Sequence, residues 1–236
     1  MLVEKNLSLG ITDLVSLVVA VVGDQQLQDA WAKRQFEKDM AEKVAKSGGG
    51  VVSGGYAVLR REVLPTTCSQ VTDFIYDRLG GGLREQGASA QEVDAVLALR
   101  PQRLADVAQR LLAVRAFAAL PEAPALAAAN KRIGNILKKS EGEGATVNPA
   151  LFVEPAEKNL YAAMQATLPA ANAKFDAGDY TASLQALAAL RTPVDAFFDG
   201  VMVNADDPAL RANRLGLLKS LHEAMNRVAD LSRLAT

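Results

Sequence analysis

Asp206-Asp207-Pro208-Ala209-Leu210-Arg211-Ala212-Asn213-Arg214-Leu215 is the stretch on which the reading of this chain turns. Asp207 is the kind of short acceptor that caps a helix N-terminus, and Pro208 stands where a helix tolerates proline. The pattern predicts a helix over about 208–234, with Leu210, Leu217, Leu221, Ala224, Val228 and Leu231 as its apolar stripe. Arg214 falls inside that stripe, about 40° from Leu210 on a helical wheel. Asn213 lies on the other edge, and Arg211 lies further out on the flank. A guanidinium in an apolar stripe needs a carboxylate or a backbone carbonyl. Asp195 and Asp199, on the preceding helix, are the carboxylates expected to meet Arg214.

Outward from this helix the chain reads as all-α. Alanine and leucine dominate, and aromatic residues make up only 5%. Helices are predicted over roughly 12–22, 24–46, 102–119, 123–139, 156–168, 179–190 and 193–203. Ser89-Ala90-Gln91-Glu92 is a capping box opening a short helix to about Leu99. Gly48-Gly49-Gly50 stops the second helix, and the stretch to Gly55 is the best linker. Pro65 marks a further break. A helix from about Gln70 meets Gly80-Gly81-Gly82, which is expected to weaken or break it at about 1 kcal/mol per glycine. The domain reading is a helical extension over 1–66 and a multi-helix bundle over 67–236.

Bulk properties mainly exclude. The chain has 236 residues, 26 basic and 27 acidic, for a net charge of −1. Nucleic acid would therefore have to be met by a local basic patch. A single cysteine, Cys68, rules out an intramolecular disulfide. A single histidine, His222, argues against a Ser/His/Asp site or a His-rich metal site. No phosphate loop, dinucleotide fingerprint or zinc motif is present. The apolar run Ile11–Val22 is interrupted by Asp13 and is too short to span a bilayer. No membrane association is expected, and the cytoplasm is the default location.

A basic face is found in Ala123–Lys139. Leu126, Ala129, Ile133, Ile136 and Leu137 form a core-facing stripe. Opposite them, Lys131, Arg132, Asn135, Lys138 and Lys139 share an arc of about 120°. Four cations can hold phosphates while Asn135 addresses a base edge. The plainer alternative is a solvated face with lysines favoured at a helix C-terminus. Phe197-Phe198 can likewise be read as a base-stacking pair or, as a bundle poor in aromatics favours, as core.

The Asp206–Leu215 run and Asn130-Lys131-Arg132-Ile133-Gly134-Asn135-Ile136-Leu137-Lys138-Lys139 together resemble the DALR-type anticodon-binding domain of aminoacyl-tRNA synthetases. Adding Pro193-Val194-Asp195-Ala196-Phe197-Phe198-Asp199-Gly200-Val201-Met202-Val203, the chain is similar to the C-terminal part of the bacterial glycyl-tRNA synthetase β subunit. The resemblance is clearest from about Thr72 to Ala235. It departs at Gly80-Gly81-Gly82, where the family often carries bulky aromatics, and at Asn204, where an apolar residue is common. Because the family's subunit is much longer, the chain is expected to be an excised domain or a truncated product.

The resemblance implies an anticodon-binding bundle for glycine tRNA that holds the tRNA for a remote active site. Lys131, Arg132, Asn135, Arg211 and Arg214 match the motif positions, with Lys138 and Lys139 alongside. Asp195, Asp207 and Asn213 are read as structural members of the motif. For Arg214 a structural role is weighed ahead of RNA contact, and Arg211 is the better RNA candidate. No cofactor is expected in this chain. In the family, ATP and magnesium belong to glycine activation in the α subunit. The implied partners are glycine tRNA, that α subunit and the remaining β-subunit domains, and no ligase activity is expected from the chain alone. Two other readings stay open: a helical scaffold for protein contacts, and the related domain of an arginyl-tRNA synthetase.

Overall fold

The structure, a computed structural model, describes residues 55–140 and 146–235, with side chains from residue 69 onward. The expected helices over 12–22 and 24–46 and the linker glycines before Gly55 lie outside the described residues. The chain divides into two compact units, 1–79 with 102–104, and 80–101 with 105–236.

In the first unit the described residues up to 79 are helical. Helix α1, Gly55–Glu85, begins there. Neither Pro65 nor the glycine triplet ends α1, contrary to expectation. On the solvent side of this segment Phe74 is exposed, and the Arg78 guanidinium lies 5.3 Å from its ring centroid.

The second unit takes in α1 from Gly80 onward, then α2 (Ala90–Leu97), α3 (Ala105–Ala118), α4 (Ala123–Lys139), α5 (Pro155–Asp176), α6 (Tyr180–Leu187), α7 (Arg191–Gly200) and α8 (Pro208–Met225). Short 3-10 turns occupy Pro149–Leu151, Ala188–Leu190 and Leu231–Leu234. Gly80 persists in α1 for a packing reason. A Cβ there would stand 3.3 Å from Leu97 Cδ1 and 3.7 Å from Val93 Cγ1, so α2 lies directly against it. The stop comes instead at Gly87, whose φ of 89° is left-handed. There Gly87 N donates to Arg84 O at 2.9 Å and Ala88 N to Leu83 O at 3.1 Å, a Schellman closure. The predicted Ser89 capping box then opens α2, with Ser89 N donating to Glu92 Oε2 at 2.9 Å and Glu92 N to Ser89 Oγ at 3.2 Å.

The same logic corrects the end of α5. It overruns the expected limit at 168 and passes through Pro169 to Asp176. Proline removes one N–H bond to the carbonyl four residues back. That residue, Gln165, is exposed, as is Pro169, so water can take the freed carbonyl. Gly178, with φ of 82°, closes the helix: its N donates to Phe175 O and Asp179 N donates to Lys174 O, both at 2.9 Å.

The core gathers one stripe from each helix. Val107, Val114 and Phe117 come from α3, Leu126 and Ile133 from α4, and Leu160 and Met164 from α5. Leu184, Phe197, Leu215, Leu217, Leu218, Leu221 and Met225 complete it. Helix α6 packs between α5 and α3, and α4 packs on α8, α7 and the Leu231–Leu234 turn. The last helix is shorter than its predicted span to 234. It ends at Met225 because Asn226 turns its amide to other partners: Asn130 in α4, His222 O and the Leu231 N–H. Among the described residues no single helix is long and apolar enough to cross a membrane.

Candidate nucleic-acid interface

Helix α4 presents Lys131, Arg132, Asn135, Lys138 and Lys139 to solvent, while Leu126, Ala129 and Ile133 are buried and Ile136 and Leu137 half-buried. Its apolar stripe, drawn to α7, α8 and the Leu231–Leu234 turn, fixes which face remains outside. Among the described residues none of the five polar side chains forms a hydrogen bond or an ion pair with another residue. Among the described residues, therefore, no carboxylate pairs with these cations.

This face is concave. A groove of about 440 Å³ is lined by Ala128, Lys131, Arg132, Asn135, Ile136, Lys139 and Ala235. Ala128, Ile136 and Ala235 supply apolar surface, and the charged residues supply its polar edges. Lys138 is exposed beside the groove but does not line it. Arg132 is held in place from α7, with its guanidinium carbon 4.1 Å from the Phe198 ring centroid. Such a cation–π contact is worth about 0.5–1 kcal/mol at an exposed site. Phe197 is fully buried and meets Phe198 edge-on at 5.7 Å, so the pair divides into a core residue and a half-buried platform. The sequence reading missed this division. Phe197 and Phe198 point roughly 100° apart on a helix, and that offset was its only signal.

The signature run of α8 does something different. Asp207 caps the helix, accepting from Ala209 N at 2.8 Å and Leu210 N at 3.3 Å. Asn213 is buried and clamps Asn148 by both backbone groups, accepting from its N at 2.6 Å and donating to its O at 3.1 Å. Arg214 is 4% exposed. Its Nε donates to Glu157 Oε1 at 2.9 Å, its Nη2 to Glu157 Oε2 at 3.3 Å, and its Nη1 to Met202 O at 2.7 Å. The expected carboxylates are not its partners. Asp195 is exposed and pairs instead with Arg191, one turn before it on α7, and Asp199 is exposed as well. Arg211 is half-buried and donates to Ala205 O at 3.1 Å.

Glu157 was not anticipated. It sits at the third position of α5 and also accepts from Val153 N at 3.0 Å and Glu154 N at 2.8 Å. Burial pushes its carboxyl pKa up. The bonds from Arg214 and from the Glu154 and Val153 N–H groups outweigh that and hold it below the ordinary value. The reason to look for it was local: a glutamate at the third position of a helix that opens on a proline is already turned back toward the backbone. Arg211, Asn213 and Arg214 together fasten the 201–207 and 146–154 segments to α8. The lysines, Arg132 and Asn135 of α4 remain at the open groove.

Comparison with known proteins agrees with this architecture. Residues 126–231 match the DALR anticodon binding domain, a span that runs from within α4 through α5–α8 to the start of the closing turn. The chain is similar to the glycine–tRNA ligase β subunit of Delftia acidovorans, 74% identical over 167 residues, which is 70% of this chain and 24% of that protein. The β subunits of Polaromonas naphthalenivorans and Thiobacillus denitrificans are 67% and 63% identical over 186 residues, 78% of this chain and 26% of each. The chain thus spans about a quarter of the length of the curated relatives it matches. With the bundle and its signature run in place, residues 126–231 match the DALR anticodon binding domain, and most of the chain is similar to one part of glycine–tRNA ligase β subunits.

Proposed function

We propose that the chain binds the anticodon region of glycine tRNA through the α4 groove. The supporting observation is an exposed basic face, without ion pairs among the described residues, bordering a concave surface inside the domain that matches the anticodon-binding family. Lys131 and Lys139 meet phosphates, and Arg132 and Asn135 address bases. Lys138 adds positive potential at the edge. Arg214 acts by holding the bundle, and Arg211 by holding the 201–207 loop against α8.

In this reading the chain does no chemistry. It is the tRNA-holding part of a cytoplasmic glycine–tRNA ligase, whose α subunit activates glycine with ATP and magnesium while the other β-subunit domains complete the assembly. The test is binding to glycine tRNA across a salt series. Each phosphate neutralised contributes about 0.9 to the slope of log affinity against log salt on duplex, and about 0.7 on single strands. Lys131→Ala and Lys139→Ala should each lower that slope by just under one. Binding with no salt dependence would instead support a protein-interaction scaffold.

A further inference from the structure

The geometry points to a subsite on α4 that stacks one unpaired nucleobase on the Arg132 guanidinium, with Phe198 as its fixed backing and Asn135 reading the base edge. The inference rests on the tRNA reading above and specifies how its groove engages a base. Arg132 is exposed, yet it is anchored on one side by the Phe198 ring at 4.1 Å. A flexible surface arginine gains little from stacking because its side chain must first be ordered. Here the ring of α7 backs it at 4.1 Å, and Arg132 is also one of the residues that line the groove.

The groove's composition suits a base better than a phosphate alone. Ala128, Ile136 and Ala235 offer apolar contact to the flat faces of a ring. Asn135, one helical turn beyond Arg132, carries a donor and an acceptor, the pair needed to bond a base edge in two places. Arginine planes and aromatic rings are the usual stacking surfaces for splayed single-stranded bases. A phosphate site would need cations converging on one point. Lys131 and Lys139 stand two turns apart, separated by roughly 12 Å of helix rise.

The test uses the full 236-residue chain and glycine tRNA carrying 2-aminopurine at successive anticodon-loop positions, whose emission falls when the base stacks. The variants are Arg132→Lys, which keeps charge and removes the plane, and Phe198→Leu, which removes the backing; Lys131→Ala is the charge control. The expected result is quenching at one loop position in the parent chain, abolished in Arg132→Lys and Phe198→Leu, with affinity lowered about tenfold and the salt slope unchanged for Arg132→Lys. Circular dichroism shows whether Phe198→Leu keeps its helices, and Arg132→Lys decides the matter if it does not. Anticodon-dependent binding that both variants retain, with quenching as in the parent, would overturn the stacking subsite while leaving the tRNA reading intact. Binding by the parent that ignores the anticodon would overturn both.

Discussion

Arg214 and Glu157 meet in a buried bidentate pair, Nε to Oε1 at 2.9 Å and Nη2 to Oε2 at 3.3 Å, that joins the first turn of α5 to the second turn of α8. Both groups make further bonds: Glu157 takes the N–H groups of Val153 and Glu154, and Arg214 gives to Met202 O. Removing one partner leaves the other charged in the interior. Glu157→Gln should therefore destabilise the bundle by about 3–5 kcal/mol, read from the urea midpoint. Arg214→Met combined with Glu157→Leu should cost less than the single change, since no orphan charge remains.

The same pair sets an acid limb. The folded Glu157 carboxyl lies below its ordinary pKa, which is about 4.3 in unfolded chains. Its contribution to stability is complete above the unfolded value and is lost as pH falls through the depressed folded one. The stability–pH profile of Glu157→Gln should be flatter than the parent's below about pH 4.3, measured by urea unfolding at a series of pH values.

The glycines in and just after α1 should answer differently to alanine. Gly81 has open space around its missing Cβ, so Gly81→Ala should stabilise by about 0.5–1 kcal/mol, the usual helix-interior difference. Gly80→Ala should gain less or nothing, because Leu97 Cδ1 lies 3.3 Å from the new Cβ. Gly87→Ala should destabilise, since its φ of 89° suits only glycine well. Thermal melts of the three variants check the order.

An amide pair between buried Asn130 and half-buried Asn226 ties the end of α8 to α4. Asn130 Nδ2 donates to Asn226 Oδ1 at 2.8 Å, and Asn226 Nδ2 returns to Asn130 Oδ1 at 3.1 Å. Asn226 also takes the Leu231 N–H at 3.0 Å. Asn130→Ala strips one side and should cost about 1–3 kcal/mol, with the Leu231–Leu234 turn exchanging its amide hydrogens faster.

What the sequence disclosed follows from the range of the forces involved. The Asp207 cap, the Ser89 box and the α4 stripe depend on residues within one or two turns, and these were legible. The partner of Arg214 was not, because Glu157 lies 57 residues away and only the folded chain brings it near. Asp195 was nearer in sequence but points to Arg191. The glycine triplet misled because helix propensity is weak beside packing, and Leu97 and Val93 supply that packing at Gly80. The basic face was read correctly as a face. Its concavity and the Phe198 backing of Arg132 depend on how α7 meets α4, which periodicity does not encode.

The central claim is that the α4 groove reads the anticodon of glycine tRNA. The most direct measurement compares the affinity of the chain for glycine tRNA and for an otherwise identical tRNA with a substituted anticodon, with Lys131→Ala and Lys139→Ala alongside. The account predicts salt-dependent binding that weakens by about one to two orders of magnitude on substitution, as loss of base contacts worth about 1–3 kcal/mol requires, and that falls in both lysine variants. Equal affinity for the two tRNAs, or full binding by both variants, would contradict it.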